Sequence, residues 1–150
     1  MAQNLKEKVN NYYGNRIRVR VCGVLIKSGK LLILKHEGVG KIGYFWNVPG
    51  GEAEKQEPLC DALRREFKEE CGLEVSVGKL ITHHEYIAPP LHAVELYFEV
   101  KSENENAELG FDTEPIKVLS ELKWMTKEDL EKIHPAAYPQ FLIKHLNFDN

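Results

Sequence analysis

The stretch Gly51 to Leu73, GEAEKQEPLCDALRREFKEECGL, carries charge where a soluble helix does not want it, and no other part of the chain restricts the fold as strongly. Pro58 suits a first helical turn, where its missing N–H is an orphan in any case, and Gly72 suits the residue just past the end. The spacing predicts a helix from about Pro58 to Cys71. At about 100° per residue, Leu59, Ala62, Leu63 and Phe67 share one arc, and Asp61, Arg64, Arg65 and Lys68 fall opposite. Glu66 and Glu70 land inside the apolar arc, with Glu69 at its edge. Like charges at i, i+3 and i+4 repel, and setting two of them against a core is costly unless something neutralises them. A divalent cation would do so, and hard oxygen ligands without Cys or His favour Mg²⁺, Mn²⁺ or Ca²⁺ over zinc. The competing reading is a solvated acidic face, which the arc placement disfavours.

Gly51, Glu57, Arg65, Glu66, Phe67, Glu69, Glu70, Gly72 and Leu73 also share the spacing of a known pattern. The segment resembles the signature of the Nudix hydrolase family: Gly, five residues, Glu, seven residues, Arg-Glu, an aliphatic residue, any residue, Glu-Glu, any residue, Gly, an aliphatic residue. Seven fixed identities match by chance with odds of about 10⁻⁸ to 10⁻⁹ per starting position. Phe67 is the departure, standing where the family usually has Ile, Leu or Val. The lead-in Trp46-Asn47-Val48-Pro49-Gly50-Gly51 is similar to the family's Trp-x-x-Pro-Gly-Gly.

The length of 150 residues suits a single domain spanning 1–150, and a formal charge of −3 gives no reason to expect a polynucleotide or an anionic membrane as partner. Three cysteines, Cys22, Cys60 and Cys71, suggest neither a disulfide framework nor a zinc knuckle, so a reduced, cytoplasmic setting is expected. No targeting or membrane-spanning segment is recognisable.

Residues 1–15 read as a short helix or an arm, which leaves room for exchange between subunits of a homodimer. From Arg16 the period becomes two, with Ile17, Val19 and Val21 on one face and Arg16, Arg18 and Arg20 on the other. The arginine face reads as solvated, unless it borders a cleft, where Arg18 or Arg20 would meet a phosphate. Ser28-Gly29 turns the chain into Leu31 to Leu34 as a hairpin. The glycine-rich run from His36 to Phe45 reads as a loop, and Trp46 to Gly51 as a short strand halted by Pro49. One or two strands, broken near Gly78, are expected between Leu73 and Tyr86. His83 and His84 point to opposite strand faces and cannot converge on one ion. His92 to Lys101 is a strand with Val94, Leu96, Phe98 and Val100 on one side and Glu95, Tyr97 and Glu99 on the other. Residues 101–115 form a long acidic loop, of the kind that is usually functional or mobile. Ile116 to Met125 is a strand, Thr126 and Asp129 form a helix cap, and a terminal amphipathic segment carries Phe141, Leu142, Ile143 and Leu146. Strands around one central helix, closed by C-terminal helices, give an α+β fold. The resemblance implies the same, a Nudix-type α/β/α sandwich with a mixed β-sheet.

The resemblance further implies Mg²⁺ (or Mn²⁺) as cofactor and hydrolysis of a nucleoside diphosphate linked to another moiety. Glu66 and Glu70 are then the best metal ligands, with Glu69 as a further ligand or as the base that orients the attacking water. Glu57 is expected to pair with Arg65 and hold the loop against the helix, although relatives sometimes recruit it to metal. A backbone carbonyl of Gly50 or Gly51 could complete the coordination, since no side chain obstructs approach there. Many relatives use a further carboxylate, for which Glu114, Asp112, Glu108, Glu99 and Glu95 are candidates, with Glu114 preferred because a base on a mobile loop can close over substrate. Some relatives acting on ADP-ribose carry a proline about sixteen positions past the signature, and Pro89 stands there, although a turn explains it equally well. Tyr44, Phe45, Trp46, Tyr86 and Tyr97 are candidates to stack on a base, or are simply packing residues. The expected substrate is therefore a small nucleotide of the ADP-ribose or nucleotide-sugar type. Nucleoside triphosphate hydrolysis to pyrophosphate and a non-catalytic nucleotide sensor are the alternatives.

Overall fold

The computed structural model describes residues 4–110, 116 and 118–149. Its helices are α1 (Leu5–Tyr13), α2 (Leu59–Cys71), α3 (Lys127–Glu131) and α4 (Gln140–Ile143), and its strands are β1 (Arg16–Val24), β2 (Ile26–Lys27), β3 (Lys30–Glu37), β4 (Tyr44–Asn47), β5 (Gly50–Glu52), β6 (Ser76–Ala88), β7 (Leu91–Lys101) and β8 (Leu119–Met125). A single 3-10 turn, Pro135–Ala137, precedes α4.

Two four-stranded sheets share the strands. The first has the order β5-β1-β7-β6, and the second is β2-β3-β4 with β8 on the other edge of β3. Within the first sheet β1 and β7 run parallel, from Arg16 opposite Leu91 to Val24 opposite Glu99, while the other pairings are antiparallel. The sheet is therefore mixed. The stretch from Trp46 to Gly51 is not one strand: Val48-Pro49 breaks it, and the chain passes from β4 in the second sheet to β5 in the first. This crossing places Gly50 and Gly51 between the two sheets' ends and α2.

Helix α2 begins one residue later than the spacing predicts, with Pro58 as its extended N-cap, and ends at Gly72 in the left-handed conformation, with φ 67°. Its apolar arc closes one core with Val21, Leu25, Leu32, Leu34, Leu73 and Val100. Phe67 is fully buried there. Its ring fits because β1 has Gly23 beneath it: a Cβ on Gly23 would collide with the Phe67 ring and lie 2.7 Å from Val100. The larger side chain at the signature's aliphatic position is thus accommodated by a missing side chain on the strand. A second core, built on Leu31, Ile33, Trp46, Val48, Tyr97, Leu130 and Leu142, lies toward the C-terminal helices.

Strand β6 is continuous where a break near Gly78 is expected, and the irregularity survives as register shifts between Val77 and Leu80 and between Leu80 and Thr82. Pro89-Pro90 forms the turn into β7. Strand β3 runs on to Glu37 and β4 starts at Tyr44, so the glycine-rich connection is shorter than Gly and Lys content suggests. The expected cap of α3 is present as a reciprocal capping box between Thr126 and Asp129.

The faces of β1 are reversed from expectation. Ile17 is 65% exposed and Val19 41%, whereas Arg18 and Arg20 are half-buried and line an internal cavity. The same holds on β7, where Ala93, Glu95 and Tyr97 are buried and Val94 and Leu96 are only half-buried. The physical reason is common to both strands: the inner face of this sheet borders a cavity that accepts polar groups, so polarity does not report exposure there.

Candidate active site

The cavity has a volume of about 670 Å³, inside the usual range for small-molecule sites. One wall is the first sheet, through Arg18 and Arg20 of β1, His84 and Tyr86 of β6, and Glu95 and Tyr97 of β7. Facing it are Phe45 and Asn47 of β4. Helix α1 closes one side with Lys6, Asn10 and Tyr13, and Tyr138 to Phe141 close another. Gly50, Gly51 and the three glutamates of α2 form the floor. The register pairs His84 with Glu95, Tyr86 with Ala93 and Ala88 with Leu91, so the cavity follows the strands for about 13 Å at 3.3 Å per residue.

Glu66 and Glu70 are 7% and 5% exposed, so the helical arc argument holds for both. Glu70 Oε1 accepts a hydrogen bond from the Gly50 N–H at 2.9 Å. Glu66 lies over Gly51, whose absent side chain makes room for it: a Cβ there would sit 2.5 Å from the Glu66 carboxyl carbon. Burial, reinforced by the charge of Glu69, pushes the Glu66 carboxyl up to about 7 even though Arg65 pulls it down. An acid held in this way gains by meeting a cation.

Arg65 offsets part of the repulsion among the three acids. Its Nε and Nη2 donate to Glu57 at 2.8 and 2.9 Å, and its Nη1 donates to Glu66 at 2.9 Å and to Glu69 at 3.4 Å. The fork on Glu57 ties the loop before α2 to the helix. It also draws the Glu57 carboxyl down to about 2 from its ordinary 4.5. A carboxylate lowered in the folded state contributes stability that is fully present above its unfolded value and is lost as pH falls through the folded one. Glu57→Gln should therefore narrow the gap in melting temperature from the parent as pH drops from about 5 toward 2, read by thermal melts in a series of buffers.

The donor set fits an oxygen-loving divalent ion. Among the described residues no three His, Cys, Asp or Glu side chains already close on a single point. Mg²⁺ does not need that, because it takes one or two carboxylates and completes its shell with water and substrate phosphate. Glu66, Glu69 and Glu70, with a carbonyl of Gly50 or Gly51, would hold it. Gly51→Ala tests the fit: the Glu66 carboxylate must move, a change at the far end of a flexible side chain, so Mn²⁺ affinity should fall about tenfold while the melting temperature changes little.

The structure brings together Glu66, Glu69, Glu70, Gly51, Arg18, Arg20, Phe45 and Pro89 around the cavity. It does not bring Trp46, whose ring is 6% exposed in the second core, because the side chains of β4 alternate and Phe45 and Asn47 take the cavity side. Arg65 and Glu57 do not line the cavity. Arg18 is engaged by Glu52 at 2.7 Å and lies over the Tyr13 ring at 4.2 Å. Glu114 and Asp112 lie outside the described residues. Of the other candidate carboxylates, Glu108 is exposed on the acidic loop, Glu99 is half-buried, and Glu95 is buried in the cavity wall.

His84 and Phe141 belong to the cavity and do not stand out in the sequence. Their rings stack at 3.9 Å with 12° between planes, and His84 Nδ1 lies 3.2 Å from Glu95 Oε1. The only sequence signal was the alternation that sends His84 to the face opposite His83.

A family model, the NUDIX domain, matches residues 14–144. The chain is 37% identical to the phosphatase NudJ of Escherichia coli K12 over 71 residues, 47% of this chain and 45% of that protein. It is 31% identical to the CTP pyrophosphohydrolase of the same strain over 65 residues, 43% of this chain and 48% of that one. It thus spans about half the length of these relatives in each match. Its fold is similar to the MutT protein of Methanosarcina mazei Go1, with a TM-score of 0.70 at 17% identity over 87% of this chain and 91% of that one. The MutT Nudix hydrolase of Burkholderia pseudomallei gives 0.65 at 21% identity over 91% and 100%. With the signature helix, its glycine lead-in and the mixed sheet accounted for in one match that covers most of the sequence, the chain belongs to the Nudix domain family.

Proposed function

We propose that this protein hydrolyses the pyrophosphate bond of a small nucleotide with Mg²⁺ or Mn²⁺, and that its substrate is a nucleoside diphosphate carrying a second moiety, of the ADP-ribose or nucleotide-sugar type. The reading is carried by one observation: the buried acids of α2 open onto the same cavity as Arg18 and Arg20, and that cavity continues along the strands to Ala88, Leu91 and α1. A group attached beyond the diphosphate has a place there.

A divalent ion held by Glu66 and Glu70 would supply charge neutralisation for the diphosphate and a polarised water for the attack on phosphorus. Glu66 and Glu70 hold the charge that binds it. Glu69, half-buried at the cavity edge, is a further ligand or the base that receives the proton of the attacking water as the bridging P–O bond breaks. Arg20 faces the non-bridging phosphate oxygens, and Phe45 offers a ring to the base. Pro89 lies at the cavity's rim. As half of the β6–β7 turn it has a structural reason to be there, so it adds little to substrate choice.

The second reading, cleavage of nucleoside triphosphates, is favoured by the name of one relative, a CTP pyrophosphohydrolase. A panel of ADP-ribose, nucleotide sugars and nucleoside triphosphates, assayed with Mg²⁺ and Mn²⁺ and with the products identified, separates the two. Nucleoside monophosphate plus a sugar phosphate supports the leading reading, and inorganic pyrophosphate supports the second. No product from any compound, in a protein that binds Mn²⁺, would indicate a nucleotide sensor.

A further inference from the structure

Behind the phosphate-facing arginine lies a buried acid with more partners than burial alone requires. Glu95, 7% exposed, accepts from Arg20 Nη1 at 2.8 Å on Oε2, and its Oε1 meets His84 Nδ1 at 3.2 Å and the Tyr97 hydroxyl at 3.4 Å. Tyr97 is in turn a hydrogen-bonding neighbour of Asn47, so the group links the two sheets beneath the cavity. Burial pushes the Glu95 carboxyl up, but the His84 hydrogen bond and the Arg20 charge outweigh it, and the group stays below its ordinary value.

Arg20 has competing attractions. Beside its hydrogen bond to Glu95 it shares the cavity lining with Glu70 of α2, and both negative charges act on it. A guanidinium on a flexible stem, partly withdrawn from water, goes to the better acceptor. The two-oxygen arrangement at Glu95, braced by His84 and Tyr97, makes that acceptor Glu95. His84 is braced in turn by its stack on Phe141.

We propose that Glu95 is a positioning residue: it holds Arg20 against the sheet, so that the arginine does not collapse onto the metal-binding acids and remains presented to the substrate phosphate. Without this restraint Arg20 swings toward Glu70 and competes with the divalent ion. The proposal rests on the assignment of Glu66 and Glu70 as metal ligands made above, and it extends that assignment to a residue outside the signature helix.

The test is Mn²⁺ binding measured by electron paramagnetic resonance on the protein without nucleotide, together with steady-state kinetics. Glu95→Gln should weaken Mn²⁺ binding about tenfold, within the range of coupling between neighbouring groups, and raise KM more than it lowers kcat. In the double variant Arg20→Met/Glu95→Gln the Mn²⁺ affinity should return to within about twofold of the parent, because the competing charge is gone, while KM stays high. Unchanged Mn²⁺ affinity in Glu95→Gln overturns the proposal, as does a loss that persists in the double variant. Should Glu95→Gln fail to fold, Arg20→Met alone decides: it must raise KM without weakening Mn²⁺ binding, and weaker binding overturns the proposal. A parent protein that binds no Mn²⁺ refutes the metal assignment itself, a result distinct from either of these.

Discussion

Glu70→Gln is expected to reduce turnover by about 10²- to 10³-fold, the rate equivalent of losing several kcal/mol of charge stabilisation, while the melting temperature of the metal-free protein stays level or rises. The two readouts move apart for a definite reason. Gln keeps a side-chain oxygen for the Gly50 N–H, which Glu70 accepts at 2.9 Å, so the link between β5 and α2 survives. It removes a charge that is 5% exposed and close to two other acids, and relief of that charge favours the metal-free fold. Single-turnover kinetics at saturating Mg²⁺ and a calorimetric scan without metal check both halves. A variant that turns over as fast as the parent would remove Glu70 from the metal site, and a variant that unfolds would make its role structural.

Phe67→Ala should produce the largest loss of stability, about 3–5 kcal/mol for a fully buried phenylalanine. For a domain of this size that corresponds to a fall of about 6 to 20 °C in melting temperature. Phe67 fills the space over Gly23, so its truncation leaves a cavity there. Urea denaturation should show a lower midpoint at unchanged slope. Phe67→Leu, which restores the residue class usual at this signature position, should lose much less. In that background Gly23→Ala should cost less than in the parent, where the methyl group meets the Phe67 ring as well as Val100. A destabilisation by Gly23→Ala of the same size in both backgrounds would show that the two positions are not coupled.

Much of α2 and its lead-in was legible because local chemistry decides it: a 3.6-residue period, Pro58 at the entry, Gly72 at the exit, and two glutamates inside an apolar arc that proved to be buried. The pairing of Glu57 with Arg65 was legible from the signature's spacing. What was not legible concerns which face of a strand looks inward. Alternation separates Arg18 and Arg20 from Ile17 and Val19, but it cannot say that the apolar pair faces outward, because the cavity on the inner side has room for the two arginines. Glu95 and Tyr97 were set apart from Val94 and Leu96 in the same way, and only the parallel pairing of β1 with β7 shows that Arg20 and Glu95 are neighbours. That pairing joins segments 75 residues apart, and no local signal encodes it. Trp46 was misplaced for the converse reason, since an aromatic residue beside a glycine-rich turn suits a core as well as a binding site.

Two backbone hydrogen bonds fasten the acidic loop after β7 to the signature helix. The Glu108 N–H donates to the Cys71 carbonyl at 3.0 Å and the Gly110 N–H to the Glu70 carbonyl at 2.8 Å, and any side chain at 110 would overlap the Glu69 carbonyl. The missing side chain of Gly110 is what lets the two backbones meet. A bulkier residue there would separate the loop from the end of the helix that bears Glu69 and Glu70, and under the proposed function turnover would fall with it.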